Sequence, residues 1–177
     1  MQACLDPGDE VIILEPFFTF YEQHVRQAGG VPVYCTSGVE EAFLPDPAKI
    51  EACTGERTKA IIINSPCNPT GAVFPPELLK EISNIVSRHD LLVISDELYE
   101  AFVYGVSHVP FASLPGMKER TVTIGGMSKS YAMTGWRIGY AMGSPEILRA
   151  MQVTGVPHTI SVNTMVQKAS EFALNNC

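Results

Sequence analysis

The sequence contains no long apolar run. Its longest uninterrupted apolar stretches, such as Ala60–Ile63 and Leu91–Ile94, have about four residues. A helix that spans a bilayer needs about 20 consecutive, mostly apolar residues. We therefore predict no membrane segment and no membrane partner.

The chain also lacks any run of like charges. Lys and Arg number 12 against 19 Asp and Glu, so the formal net charge is −7. Proteins that bind nucleic acid or anionic lipid through electrostatics carry basic clusters. We therefore expect no nucleic-acid partner, and small molecules are the better candidates.

Cysteines are few and do not form a recognisable motif. The chain has five cysteines, which is an odd number, and no two of them form a Cys-x-x-Cys pair. A disulfide framework or a zinc site would need paired cysteines, whereas isolated cysteines are usually small buried residues of reducing compartments. This usage predicts free thiols and a cytoplasmic protein.

Apolar residues make up 46% of the 177 residues, enough for one globular core. Short β-branched runs alternate with longer amphipathic stretches, which predicts an α/β fold. Several predicted strands are apolar on both faces, as in a mostly parallel sheet covered by helices on each side. The predicted strands are Glu10–Leu14, Val31–Cys35, Lys59–Asn64, Leu91–Ser95, Thr121–Gly125 and Arg137–Met142. The predicted helices are Phe18–Ala28, Pro47–Cys53, Pro76–Arg88, Pro145–Thr154 and Val162–Asn175.

Open α/β sheets bind their ligands beyond the carboxyl ends of the strands. The loops that follow the predicted strands there are Glu15–Phe18, Asn64–Gly71, Asp96–Tyr99 and Gly125–Ser130. Taken alone, the Asn-Pro and Thr-Gly pairs of the second loop are ordinary turn residues. Together, however, the four loops bring an acid, an amide, a tyrosine and a lysine to one edge of the sheet.

Asp96 and Lys129 are the two charged candidates in these loops. An acid at the end of a buried strand needs a cationic or metal partner, but neither a histidine nor a second carboxylate pair lies at ligand spacing around Asp96. We therefore predict no metal site. The loop around Lys129 lacks the glycines of a nucleotide-binding P-loop. A solvated surface lysine is the default interpretation, but an amine among apolar neighbours can condense with an aldehyde.

Three motifs together resemble the class I aminotransferases, which are pyridoxal-phosphate enzymes of fold type I. They are Asn68-Pro69-Thr70-Gly71, Ser95-Asp96-Glu97-Leu98-Tyr99 and the run from Ser128 to Tyr140, which reads SKSYAMTGWRIGY. The aspartate, aromatic and kynurenine aminotransferases are the most similar branch. The resemblance implies a three-layer α/β/α sandwich whose last strand is antiparallel. It also implies cis peptide bonds at Glu15–Pro16 and Asn68–Pro69.

The resemblance assigns three catalytic residues and implies pyridoxal 5'-phosphate as the cofactor. Lys129 matches the lysine that holds the cofactor covalently and later shuttles a proton. Asp96 matches the carboxylate that pairs with the pyridine nitrogen and keeps it protonated. Tyr99, like Asn68, matches a group that hydrogen-bonds the phenolic oxygen of the cofactor.

Three further residues complete the implied cofactor site. Arg137 matches the arginine that binds the phosphate, a task that suits its planar guanidinium. Phe18 matches the aromatic residue that stacks on the pyridine ring, with an ordinary core phenylalanine as the alternative. Gly126 stands where some relatives have a phosphate-binding serine, and Ser128 is the candidate to replace it.

The resemblance covers only the centre of the family's cofactor-binding domain. It implies that residues 1–177 are a partial large domain, with the N-terminal arm and the C-terminal small domain absent. The implied activity is transfer of an amino group from an amino acid to a 2-oxo acid, by a parent enzyme that is a homodimer. Two alternatives remain. One is a β-lyase that cleaves C–S bonds or a cyclopropane-carboxylate synthase of the same fold, and the other is an incompetent fragment that at most binds cofactor.

Overall fold

A six-stranded sheet flanked by helices forms the protein. The computed structural model describes residues 1–177 apart from the side chains of Val156 and His158. The strands are β1 Glu10–Glu15, β2 Val31–Thr36, β3 Thr58–Asn64, β4 Leu92–Asp96, β5 Thr121–Gly126 and β6 Gly139–Met142. The helices are α1 Phe20–Gln27, α2 Pro47–Cys53, α3 Pro76–Arg88, α4 Met127–Ser130, α5 Pro145–Thr159 and α6 Thr164–Asn176.

The strand order is β2-β1-β3-β4-β5-β6. Strands β1 to β5 run parallel, and β6 pairs antiparallel with β5. This confirms the mostly parallel sheet and the antiparallel last strand. Because β2 and β3 lie on opposite sides of β1, the strand order reverses there, and such a reversal opens a crevice at the carboxyl ends of the strands.

The two faces of the sheet are buried in separate clusters, which gives the predicted three layers. Ile12 and Ile61 lie on the face covered by α2 and α3. Ile13 and Ile62 lie on the other face, against Tyr21 and Val25 of α1. Strands buried on both sides read as continuous apolar runs, and this is why the triple isoleucine of β3 predicted the central strand correctly.

Local signals explain several helix boundaries. The Asp46 side chain accepts a hydrogen bond from the Ala48 N–H at 2.8 Å and caps α2, whose first residue is Pro47. Asn163 caps α6 in the same way through Met165. Helices α2 and α3, which both begin at a proline, have the boundaries that the sequence predicted.

Four predicted boundaries are wrong by more than one residue, and each has a physical reason. Helix α6 begins at Thr164 rather than Val162, because the Asn163 side chain takes the N-cap position. Strand β6 begins at Gly139 rather than Arg137, because Arg137 is left-handed with φ of 54° after a short 3-10 turn. Helix α1 begins at Phe20, since Thr19 takes the N-cap position. Helix α5 continues past Thr154 to Thr159, because the φ angle of proline is compatible with a helix despite the lost hydrogen bond at Pro157.

The structure also tests the predicted cis peptide bonds. The peptide bonds Glu15–Pro16 and Asn68–Pro69 are cis as predicted, and Ser65–Pro66 is a third cis bond that was not predicted.

All five cysteines are free, and burial raises the pKa of the Cys35 thiol to about 12. Among the described helices, none combines the length and apolarity needed to cross a membrane.

The core variant Leu79→Ala tests the packing of α3 on the sheet. Leu79 is 2% exposed, so its truncation removes buried apolar contacts and leaves a cavity. We expect the free energy of unfolding to fall by about 2–5 kcal/mol. Leu174→Ala makes the same change on α6 at a side chain that is 52% exposed, and it should have little effect. Urea unfolding followed by circular dichroism measures both, and equal losses would contradict the assignment of the core.

Candidate active site

The four loops identified from the sequence meet at a cavity of about 240 Å³ at the carboxyl edge of the sheet. All seven predicted site residues line it, namely Phe18, Asn68, Asp96, Tyr99, Ser128, Lys129 and Arg137. Four residues that sequence reasoning did not select also line it, namely Tyr21, Asn64, Leu98 and Thr134. The structure therefore brings the candidates together in space, although they span 120 positions of the chain.

Asp96 presents its carboxylate from the end of β4. Its Oδ2 accepts a hydrogen bond from the Tyr21 hydroxyl at 2.5 Å, and its Oδ1 accepts one from the Leu98 N–H at 3.2 Å. These two donors fix the carboxylate at the rim of the cavity. A negative charge held in place in this way is a partner for a cationic group of a ligand.

Tyr21 is a site residue that the sequence did not reveal. It lies on α1, is 8% exposed and donates its hydroxyl proton to Asp96. Burial and the Asp96 charge raise the pKa of this hydroxyl far above its ordinary value, so Tyr21 remains a neutral donor. The available signals were its position in the predicted helix Phe18–Ala28 and the need of a buried tyrosine for a hydrogen-bond partner.

Lys129 reaches the cavity from α4, a single turn of helix where the sequence predicted a loop. Its side chain is half-buried, and its Nζ lies 5.6 Å from the centroid of the Tyr99 ring. Tyr99 packs in turn against Phe102, with ring centroids 6.3 Å apart. The lysine amine is therefore held beside an aromatic face at the mouth of the cavity.

Arg137 lines the cavity with an exposed side chain and is held by the turn that precedes it. Its Nη1 donates to the Thr134 carbonyl at 2.9 Å, and the Thr134 hydroxyl donates to the Ser128 carbonyl at 3.0 Å. Within the described residues, neither Lys129 nor Arg137 forms a salt bridge, so two cations are available to an anionic ligand. A phosphate is the anion that such a guanidinium binds well.

Phe18 lies at the edge of the cavity and not in the core. Its side chain is 36% exposed, and its ring meets Tyr21 edge-on with centroids 5.6 Å apart. The alternative of an ordinary core phenylalanine is therefore wrong. An exposed aromatic ring beside a polar pocket is suited to stacking on a flat ligand.

One cluster of possible metal ligands lies beside the site. Glu97, Glu100 and His108 place their ligand atoms within 4.8 Å of one another. The sequence did not predict this, because His108 returns to Glu97 through a loop. Glu97 is buried and already accepts hydrogen bonds from Ser95, His108 and the Phe111 N–H. Through these bonds Glu97 connects the loop that carries His108 and Phe111 to Ser95 of β4.

Comparison with known proteins agrees with these motifs. The sequence model of the family described as "Aminotransferase class I and II" matches residues 1–176. The chain belongs to the class I and II aminotransferases. The predicted resemblance is thereby confirmed over the whole chain.

Individual aminotransferases are similar in both sequence and structure. A probable aspartate/prephenate aminotransferase of Thermus aquaticus is 45% identical over 175 residues, which are 99% of this chain and 45% of that protein. The structure of aspartate aminotransferase from Thermus thermophilus with maleate is 44% identical, with a TM-score of 0.96 over 99% of this chain and 45% of that one. The aromatic aminotransferase from Pyrococcus horikoshii OT3 is 42% identical, with a TM-score of 0.97 over 99% of this chain and 47% of that one. The chain thus spans a little under half the length of these aminotransferases.

Proposed function

We propose that this chain binds pyridoxal 5'-phosphate in the cavity and is the cofactor-binding part of an amino-acid aminotransferase. The observation that carries the proposal is the placement of Lys129, Asp96 and Arg137 around one cavity of about 240 Å³. The lysine amine suits the aldehyde of that cofactor, the aspartate suits its ring nitrogen, and the guanidinium suits its phosphate. Residues 1–177 would then form part of a cofactor-binding large domain.

The residues present fit the cofactor. No carboxylate of the described chain forms a salt bridge with Arg137 or Lys129, which leaves the guanidinium free for a dianionic phosphate and the lysine amine free to react with an aldehyde. Asp96 is fixed by Tyr21 and is placed to hold a protonated ring nitrogen. Phe18 offers the aromatic surface for the ring. Asn68 and Tyr99 are the candidates for its phenolic oxygen, and Ser128 for its phosphate.

The chemistry is divided between the cofactor and the chain. When bound, pyridoxal phosphate supplies an aldehyde and an electron-accepting ring. The Lys129 Nζ would hold the cofactor and, once released from it by the substrate, would be the group that takes a proton from the substrate α-carbon and returns it. Asp96 would keep a positive charge on the ring nitrogen, which favours electron withdrawal. Arg137 and Ser128 would hold the phosphate in place.

The proposed substrates are an amino acid as donor and a 2-oxo acid as acceptor. The similar proteins are named for aspartate, prephenate and aromatic substrates, so these are the donors and acceptors to test first. A homodimer for the whole enzyme and a cytoplasmic location belong to the same proposal. Because the chain spans about 45% of such a relative, cofactor binding without turnover is the second candidate.

Titration with pyridoxal phosphate tests the proposal. We expect saturable binding, with visible absorbance that shifts when aspartate or an aromatic amino acid is added. Release of the matching 2-oxo acid would show the amino-group half-reaction, whereas release of ammonia or thiol would indicate a lyase. Binding without a product would favour the second candidate. No saturable binding to the folded chain would contradict the proposal.

Tyr21→Phe tests the support of Asp96. The change removes the hydroxyl proton donated to the carboxylate and keeps the ring in place. A hydrogen bond to a charged group contributes about 1.5–3 kcal/mol, so we expect pyridoxal phosphate to bind roughly 10- to 100-fold more weakly. Fluorescence titration measures the affinity. Tyr104→Phe makes the same change at a side chain that is 84% exposed, and it should leave the affinity unchanged.

Arg137→Met tests the phosphate contact. The variant keeps a long side chain but loses the guanidinium, so we expect roughly 10- to 100-fold weaker binding of pyridoxal phosphate. Pyridoxal, which lacks the phosphate, should bind the variant and the wild type equally. Arg149→Met, at an exposed position of α5, is the matched control. An equal loss for both ligands would show that Arg137 supports the fold rather than the phosphate.

A further inference from the structure

Asn64 connects two of the loops that line the cavity. It is the last residue of β3, is 7% exposed and stands opposite Asp96 in the parallel ladder between β3 and β4. Its Nδ2 donates to the Asp96 carbonyl at 3.0 Å and to the Pro66 carbonyl at 3.3 Å. Its Oδ1 accepts from the Asn68 N–H at 2.8 Å.

These three bonds use both N–H groups of the carboxamide as well as its oxygen. An amide is planar, so its donors and its acceptor keep a constant separation. Through them the Asn64 side chain joins the backbone of Asp96 to the backbone of Asn68. The Tyr21 hydroxyl acts differently, because it holds only the carboxylate of Asp96.

We propose that Asn64 is a positioning residue that sets the spacing between the Asp96 carboxylate and the Asn68 carboxamide, and thereby the way both meet the ring of pyridoxal phosphate. The inference rests on the proposed binding of that cofactor. No other side chain of similar size offers two N–H donors and one oxygen acceptor in this planar arrangement. An aspartate would place an oxygen against two carbonyl oxygens, and an alanine would leave two carbonyls and one N–H without their partner.

Cofactor binding by Asn64→Ala is the first arm of the test. We expect roughly tenfold weaker binding of pyridoxal phosphate and a shift in the pH at which the absorbance of the bound cofactor changes, because the two ring contacts are displaced. Asn175→Ala removes an exposed side chain with one hydrogen bond, to the Glu171 carbonyl, and serves as the matched control. A lower stability with an unchanged pH midpoint would indicate a structural role alone and would overturn the proposal.

Amide hydrogen exchange without cofactor is the second arm. The Leu98 N–H donates to Asp96 Oδ1, so its exchange rate, followed by NMR, reports the position of that carboxylate. In Asn64→Ala we expect faster exchange at both Leu98 and Asn68, with β1 and β3 still protected. Unchanged exchange at Leu98 would show that Asp96 is held without Asn64 and would overturn the proposal.

Asn64→Asp covers the case in which the alanine variant does not fold. It has nearly the same volume and keeps an acceptor for the Asn68 N–H, so we expect normal exchange at Asn68 and faster exchange at Leu98. Failure of the wild-type chain to bind pyridoxal phosphate would overturn the proposed function. The exchange rates would still decide the role of Asn64, so the two failures are distinguishable.

Discussion

Replacing Lys129 with alanine is expected to abolish covalent attachment of pyridoxal phosphate. The variant loses the only amine that lines the cavity within the described part of the chain. Its complex should therefore lack the visible absorbance of a lysine-bound aldehyde and yield no adduct after borohydride reduction. Arg137, Ser128 and Asp96 remain, so the cofactor should still bind without a covalent bond. If the complete enzyme is assayed, loss of this acid–base group should lower the rate by about 10²- to 10⁴-fold.

Lys80→Ala is the control for this variant. Lys80 is an exposed lysine of α3 and is not among the residues that line the cavity. This variant should bind pyridoxal phosphate like the wild type, and borohydride should reduce its complex to the same covalent adduct. Reducible attachment that persists in the Lys129 variant would show that another lysine holds the cofactor, and the assignment of the site would fail.

Asp96→Asn is expected to have the second largest effect. The variant keeps the size of the side chain but removes the charge that holds the ring nitrogen in its protonated form. Loss of a charged hydrogen bond predicts roughly 10- to 100-fold weaker binding. The rate of proton removal from an added amino acid should fall by about 10²- to 10³-fold, because the ring withdraws electrons less well.

Titration and hydrogen–deuterium exchange at the substrate α-carbon measure these two effects. Asp90→Asn is the matched control, since the Asp90 side chain is 91% exposed and its ion pair among the described side chains is with Arg120. If Asp96→Asn left both the affinity for pyridoxal phosphate and the exchange rate at the α-carbon unchanged, the proposed pairing of Asp96 with the ring nitrogen would be contradicted.

Most of the fold could be predicted because its signals are local. The Ile61–Ile63 run is buried on both faces of the sheet, so its pattern indicated a central parallel strand. Asp46 and Pro47 gave a cap and a first helical residue that set the start of α2. The left-handed backbone at Arg137 could not be predicted in this way, because a non-glycine residue with positive φ is held by its surroundings.

The site was predictable to the extent that single residues carry its chemistry. Lys129, Asp96 and Arg137 stand out by charge, and Asp96 and Lys129 also by their places at the end of β4 and shortly after β5. Tyr21 and Asn64 do not, because their roles depend on bonds to Asp96 across 75 and 32 residues of sequence. A tyrosine on an amphipathic helix and an asparagine at a strand end are ordinary until these contacts are known.

Locating the attached cofactor tests the central claim most directly. The complex of the unmodified chain with pyridoxal phosphate is reduced with borohydride, digested and analysed by mass spectrometry. The account predicts a single modified peptide with the pyridoxyl group on Lys129. Modification of other lysines, such as Lys59 or Lys118, with Lys129 left free would contradict it.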